Sequence, residues 1–126
     1  RGLVGSEMCI RDRLKGEGSP SEVFEWYART LRRRSACPAF HPEGNQAILD
    51  LGSDIFALER KSVDESLTVV CLFNFQPRPS KVEPMEVIES YFPKGSARDL
   101  ISGGDLKWTK SGLELRPYQA LWLCSL

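Results

Sequence analysis

Among the residues able to do chemistry, His41, the only histidine, follows Cys37 by four positions within the stretch "RRRSACPAFHPEGNQAILDLGSDIFALER". Cysteine and imidazole together suggest a metal site, but Pro38 and Pro42 flank them. On a non-helical loop a spacing of four imposes no common direction, and no third or fourth ligand is evident for the four that a structural zinc needs. No metal is expected. Asp50, Asp54, Glu59, Asp64 and Glu65 offer carboxylates for acid–base or nucleophilic work. Such a pair needs a pocket and a separation of roughly 5 to 9.5 Å; these five sit around turns and strand edges, where carboxylates are solvated. Trp108, Tyr118 and Trp122 have faces that suit the apolar C–H surface of a ligand, although Trp122 lies in an apolar run that favours burial.

The arginines of "RRR", residues 32–34, suit either a nucleic-acid patch or the end of a helix, where cations complement the negative end of the dipole. No stacking aromatic motif, glycine-rich phosphate loop or zinc-finger spacing accompanies them, so they are read as a solvated helix end. Composition agrees. Lys+Arg and Asp+Glu are 17 each in 126 residues, leaving no global field for nucleic acid or an anionic membrane. The longest apolar runs, such as "LTVVCLF", fall far short of the roughly 20 residues of a membrane-spanning helix. Cys9, Cys37, Cys71 and Cys124 contain no CxxC pair, and nothing ahead of them reads as a signal peptide. Reduced thiols in the cytoplasm are expected; a Cys71–Cys124 bridge between neighbouring strands is the lesser alternative.

Positioning falls to the elements around these residues. The opening "RGLVGSEMCIRDR", residues 1–13, shares no pattern with the rest of the chain. Its "SEMCIRDR" resembles translated adapter read-through at the ends of assembled gene pieces, and would then lie outside the fold, leaving residues 14 onward as the tail of something longer; a genuine disordered N-terminus is the other reading. From Ser19 the sequence predicts a helix, within a segment 14–36: Ser19 as N-cap, Pro20 at the first helical position and Glu22 completing a capping box. Val23, Trp26, Tyr27, Thr30 and Leu31 recur at helical spacing as one face that must be covered by something. Pro38 and Pro42 end that helix, and Phe40 in "PAFHPEGN" is read as an inward anchor.

Beyond Asn45 the period becomes two. "QAILDL" and "DIFALERK" flank "GSD" as a hairpin, with Ile55, Ala57 and Glu59 on one side and Phe56, Leu58 and Arg60 on the other. "LTVVCLFNF" is apolar on both faces and reads as a central strand covered on both sides. "KVEP" suggests a short edge strand, "MEVIESYF" fits a helical turn or a strand, "ARDLISGG" is a strand into a turn, and the remainder supplies two or three strands around "KSG" and "RPY". The expected class is mostly β: an antiparallel β-sandwich over 37–126 preceded by one α-helix.

This ordered set, a helix ending in "LRRRSACPAFHPEGNQAIL", then "DIFALER", "LTVVCLFNF" closing on Asn74, "DLISGG" and "LELRPYQALWL", resembles the C-terminal end of α-amylase-superfamily glycoside enzymes, more narrowly the sucrose phosphorylase-like branch of sucrose and glucosylglycerate phosphorylases. The resemblance covers residues 20 to 124. It implies that "RRRSACPAFHP" joins the last helix of a (β/α)8 catalytic barrel to a small antiparallel domain, with the helix face at Val23, Trp26, Tyr27 and Leu31 packed on the barrel. It further implies a parent that cleaves or transfers α-glucosyl units by a retaining mechanism, with phosphate as acceptor in the phosphorylases. No position here matches a family catalytic motif, so no catalytic, cofactor-binding or metal residue is assigned, and no cofactor is expected. The expected role is a non-catalytic structural domain whose partner is the barrel; the alternative is a free-standing carbohydrate-binding sandwich.

Overall fold

The computed structural model describes residues 20–126. Ser19, Cys9 and the readings placed on 1–13 and 14–19 lie outside that range. Among the described residues, helix α1 (Pro20–Ala36) leads through a single 3-10 turn (Pro38–Phe40) into strand β1 (Asn45–Leu49). Next come β2 (Ile55–Lys61), β3 (Thr68–Asn74), β4 (Ser80–Lys81), helix α2 (Met85–Tyr91), β5 (Ser96–Asp99), β6 (Asp105–Lys107), β7 (Glu114–Leu115) and β8 (Ala120–Cys124). The chain is mostly antiparallel β behind a leading helix, as the periodicity predicts. "MEVIESYF" is the helical alternative, so a second short helix joins the expected one.

Six strands form one sheet in the order β1-β2-β3-β8-β5-β6, all neighbours antiparallel. The hairpin register pairs Ile48 with Leu58 and Leu49 with Ala57. The opposing layer is small: the β4–β7 ribbon, pairing Ser80 with Leu115, together with α2. Alternation decides which side chains meet between the layers. Ile55, Ala57, Val70, Leu72, Ala97, Leu121 and Leu123 point inward from the large sheet and are buried against Val82, Ile88, Phe92, Leu113 and Leu115. Fully burying a leucine or isoleucine side chain is worth about 1.5–3 kcal/mol, so this one shared cluster is the main source of cohesion between the layers.

Asn74 ends β3 with no solvent exposure. Burying an amide is tolerable only when its groups are paired, and here its Nδ2 donates to the carbonyls of Arg78 and Arg116 at 2.9 Å and of Leu115 at 3.3 Å, while its Oδ1 accepts the Gln76 N–H at 2.9 Å. One side chain thus ties the large sheet to the strand and turn of the small layer.

A correction concerns the other side of the large sheet. β3 is central in strand order, yet it is not covered on both faces along its length. Val69 is fully buried beneath the 3-10 turn, whereas Cys71 and Phe73 on the same side are only half-buried.

Candidate functional site

The joint between α1 and the sheet is built over that outer face. Ala39, Val69 and Cys124 form a second buried cluster, against which Cys37, Phe40, Cys71, Leu100 and Trp122 pack. Phe40 is the anchor expected from the sequence: its ring meets Trp122 at 4.8 Å between centroids. The Arg34 and Arg60 guanidiniums lie 5.9 and 6.0 Å from its centroid, within cation–π range. Arg60 also holds the joint's backbone. Its Nε donates to the Ala39 carbonyl at 3.1 Å, its Nη2 to the His41 carbonyl at 2.8 Å, and its Nη1 to Gln46 Oε1 at 2.7 Å. The planar fork of arginine suits such simultaneous donation.

"RRR" is a solvated helix end at Arg32 and Arg34 but not at Arg33, which is half-buried. The Arg33 Nη1 donates to the Leu100 carbonyl at 3.2 Å and to the Ile101 carbonyl. That loop is itself held by the buried Asp99 carboxylate, which accepts the N–H groups of Ile101, Ser102 and Trp122 at 3.0 to 3.2 Å. Sequence offered no signal for this bond, because its partners are separated by 67 and 68 positions.

The residues singled out for chemistry are scattered. His41 is exposed, and its Nδ1 accepts the Glu43 N–H at 3.1 Å; Cys37 and His41 line one open cavity of about 650 Å³ with Arg34, Phe40 and Arg60. Among the described residues no three His, Cys, Asp or Glu side chains stand together as a metal site. Asp50 accepts the Gly52 N–H at 3.2 Å, and Asp54 faces Arg78 at 3.7 Å. Glu59 takes the Tyr91 hydroxyl, whose own pKa is pushed up to about 12 by desolvation and by that bond. The Asp64 carboxylate closes the turn between β2 and β3: hydrogen bonds from the Ser62 and Ser66 hydroxyls, both 2.7 Å, and from the Ser66 N–H hold it down at about 2. Asp50, Asp54, Glu59 and Asp64 are thus each engaged in a local turn, hydrogen bond or ion pair. Glu65 stands beside Asp64 with φ 61°. The aromatic trio is not assembled either. Trp108 packs on Phe92 at 6.1 Å beside the inner core, Trp122 packs on Phe40 at the outer face, and Tyr118 occupies the turn before β8 with φ 55°.

What the geometry does assemble is an apolar surface. On the outer face of the large sheet Phe73 and Phe75 meet at 4.7 Å and Phe56 and Phe75 at 6.1 Å; Phe56 is 41% exposed, Phe75 49%, and Ile48 on the edge strand 75%. On α1, Phe24 is 72% and Leu31 51% exposed, whereas Val23, Trp26, Tyr27 and Thr30 are half-buried. The helix face read from the sequence is therefore open at Leu31 and only partly so at its other positions.

No family model matches the chain. It is 31% identical over 129 aligned residues to a glucosylglycerate phosphorylase of Spirochaeta thermophila, covering 98% of this chain and 22% of that protein. It is 30% identical over 115 residues to a glucosylglycerate phosphorylase of Allomeiothermus silvanus, covering 90% and 17%. The chain resembles the C-terminal part of a sucrose phosphorylase-like glycoside enzyme of the α-amylase superfamily. It spans about a fifth of the length of these curated relatives. The fold recurs in a maltogenic amylase from S. marinus, with TM-score 0.58 and 18% identity over 82% of this chain and 12% of that one. The resemblance drawn from the sequence and the mostly β class thus both stand. Among the described residues no helix is long and apolar enough to cross a membrane.

Proposed function

We propose that this chain is a non-catalytic structural part of a cytoplasmic carbohydrate-active enzyme, and that it covers the helices of a catalytic barrel. The parent transfers or cleaves α-glucosyl units by a retaining mechanism. One carboxylate attacks the sugar carbon to give a covalent glucosyl-enzyme, and a second protonates the leaving oxygen and then activates the acceptor, which is phosphate in a phosphorylase. Both carboxylates belong to barrel loops. In this reading α1 is the last barrel helix, and "RRRSACPAFHP" is the seam.

The observation that carries the proposal is exposed apolar side chains at two places, Ile48, Phe56 and Phe75 on the sheet and Phe24 and Leu31 on α1. Large exposed apolar side chains grouped in this way mark a surface made for a partner, and the share of the relatives' length that the chain spans leaves them ample further polypeptide to provide one. The carbohydrate-binding alternative needs a stacking platform; Trp108 and Trp122 are instead spent on packing at opposite sides of the sheet.

The test combines two assays. Purified chain is incubated with sucrose or glucosylglycerate and phosphate, and separately titrated with α-glucans while tryptophan emission is followed; no turnover and no saturable change are expected. In the second, the Spirochaeta thermophila relative lacking its matching segment is co-expressed with this chain, and co-purification is expected, weakened by Phe56→Ser with Phe75→Ser. Turnover by the chain alone, or failure to associate, overturns the reading.

A further inference from the structure

Three thiols gather around one small cluster where the helix joins the sheet. Cys124, on β8, is buried in the small cluster with Ala39 and Val69; Cys37, immediately before the 3-10 turn, and Cys71, opposite Trp122 on β3, both pack against that cluster. Cys37 and Cys124 also line the same open groove of about 350 Å³, together with Arg33, Leu67, Leu100 and Gly103. Cys71 does not line it. We propose that Cys37 and Cys124 form a redox-sensitive pair, which a small two-electron oxidant such as hydrogen peroxide, entering by this groove, converts into a disulfide that fastens the end of α1 to β8.

The steps balance with peroxide as the only co-reactant. The Cys37 sulfur, half-exposed and so the more accessible, attacks one peroxide oxygen; the O–O bond breaks, one water leaves with the thiol proton, and a sulfenic acid forms. The Cys124 sulfur then attacks the Cys37 sulfur. The S–O bond breaks, an S–S bond forms, and the second water carries away the Cys124 proton. In sum two thiols lose two hydrogens and two electrons, and one peroxide becomes two waters. Burial holds Cys124 and Cys71 in the thiol form, and Cys71 is pushed up to about 12. The first attack therefore falls to the more accessible Cys37, and burial by itself does not choose between the other two as resolving thiol. The choice of partner rests on the shared groove, which Cys124 lines.

The pair does not depend on the reading of the parent enzyme. If that reading holds, the bond would tie the seam itself to the sandwich sheet, since Cys37 lies within "RRRSACPAFHP" and Cys124 on β8.

The experiment treats the full chain with one equivalent of hydrogen peroxide, blocks remaining thiols with iodoacetamide, and maps peptides by mass spectrometry without reduction. A peptide pair joined through Cys37 and Cys124, two hydrogens lighter than the free peptides, is expected. It disappears in Cys37→Ser and in Cys124→Ser and persists in Cys71→Ser and Cys9→Ser. The oxidised chain should melt at a higher temperature, reversibly on adding dithiothreitol. A Cys37–Cys71 link, a link between two molecules, or Cys37 oxidised only to sulfinic acid would each overturn the assignment. Should a serine variant fail to fold, the wild-type peptide map alone still decides.

Discussion

Arg33 and Leu100 are joined at 3.2 Å, guanidinium nitrogen to carbonyl oxygen, so that the last turn of α1 is pinned to the loop following β5. Ile101 supplies a second carbonyl to the same nitrogen. Hydrogen bonds to charged groups contribute roughly 1.5–3 kcal/mol, with the lower end apt for a half-exposed site. Arg33→Ala should lower the unfolding free energy by about 1–2 kcal/mol in urea titration and speed hydrogen exchange at 100–104. Arg32→Ala, at an exposed position, should leave both unchanged.

Asn74 makes a sharper case because all of its bonds are internal. Replacing it with alanine leaves the carbonyls of Leu115 and Arg116 and the Gln76 N–H short of a partner inside the fold. A loss of about 2–4 kcal/mol is expected by denaturant unfolding. Asn74→Asp should fare no better, since it keeps the acceptor but removes the donor and buries a charge.

Gly44 and Gly104 should respond differently to alanine. A Cβ at Gly44 would lie 2.5 Å from the Lys61 carbonyl oxygen and 3.1 Å from that of His41, both fixed backbone atoms. At Gly104 the nearest neighbour is the Ser102 hydroxyl at 3.5 Å, an ordinary contact. Gly44→Ala is expected to cost about 1–3 kcal/mol, and Gly104→Ala to shift the thermal midpoint little.

Acid should weaken the turn between β2 and β3. Asp64 titrates near 2 in the folded chain against 3.8 for the free side chain, so between those values the unfolded state binds more protons and stability falls as pH falls. The contribution is fully present above about pH 4 and is gone once the pH has passed through the folded value. Unfolding curves from pH 5 down to 2 should show this slope in the wild type and a shallower one in Asp64→Asn.

Much of the architecture was legible because alternation is a direct imprint of a pleated strand. Ile55 and Ala57 against Phe56 and Leu58 gave the faces of β2, and the turn chemistry of "GSD" placed the hairpin. Where the sequence misleads, the cause is identifiable. "LTVVCLFNF" has apolar residues on both sides, which shows that each side avoids water without saying whether the cover comes from the same chain. "MEVIESYF" is too short for its period to separate helix from strand; Ile88 and Phe92, buried one turn apart against the large sheet, decide the matter through packing. The joint was partly visible: Phe40 could be read as an anchor from its apolar character between prolines. Its fastening by Arg60 and by Arg33 could not, because an arginine's side chain looks the same whether it ends in water or on a distant carbonyl.

The position of β8 has a bearing on how the molecule assembles. Strands at 45–74 and at 96–107 share no ladder of their own; both lie alongside 120–124, which sits between them. Each half can collapse early, but neither can find its place in the finished sheet until that late segment threads between them, and pairings over such long stretches of chain close slowly. Until then two unsatisfied strand borders remain open, the state in which this polypeptide is most prone to recruit a neighbour instead of itself.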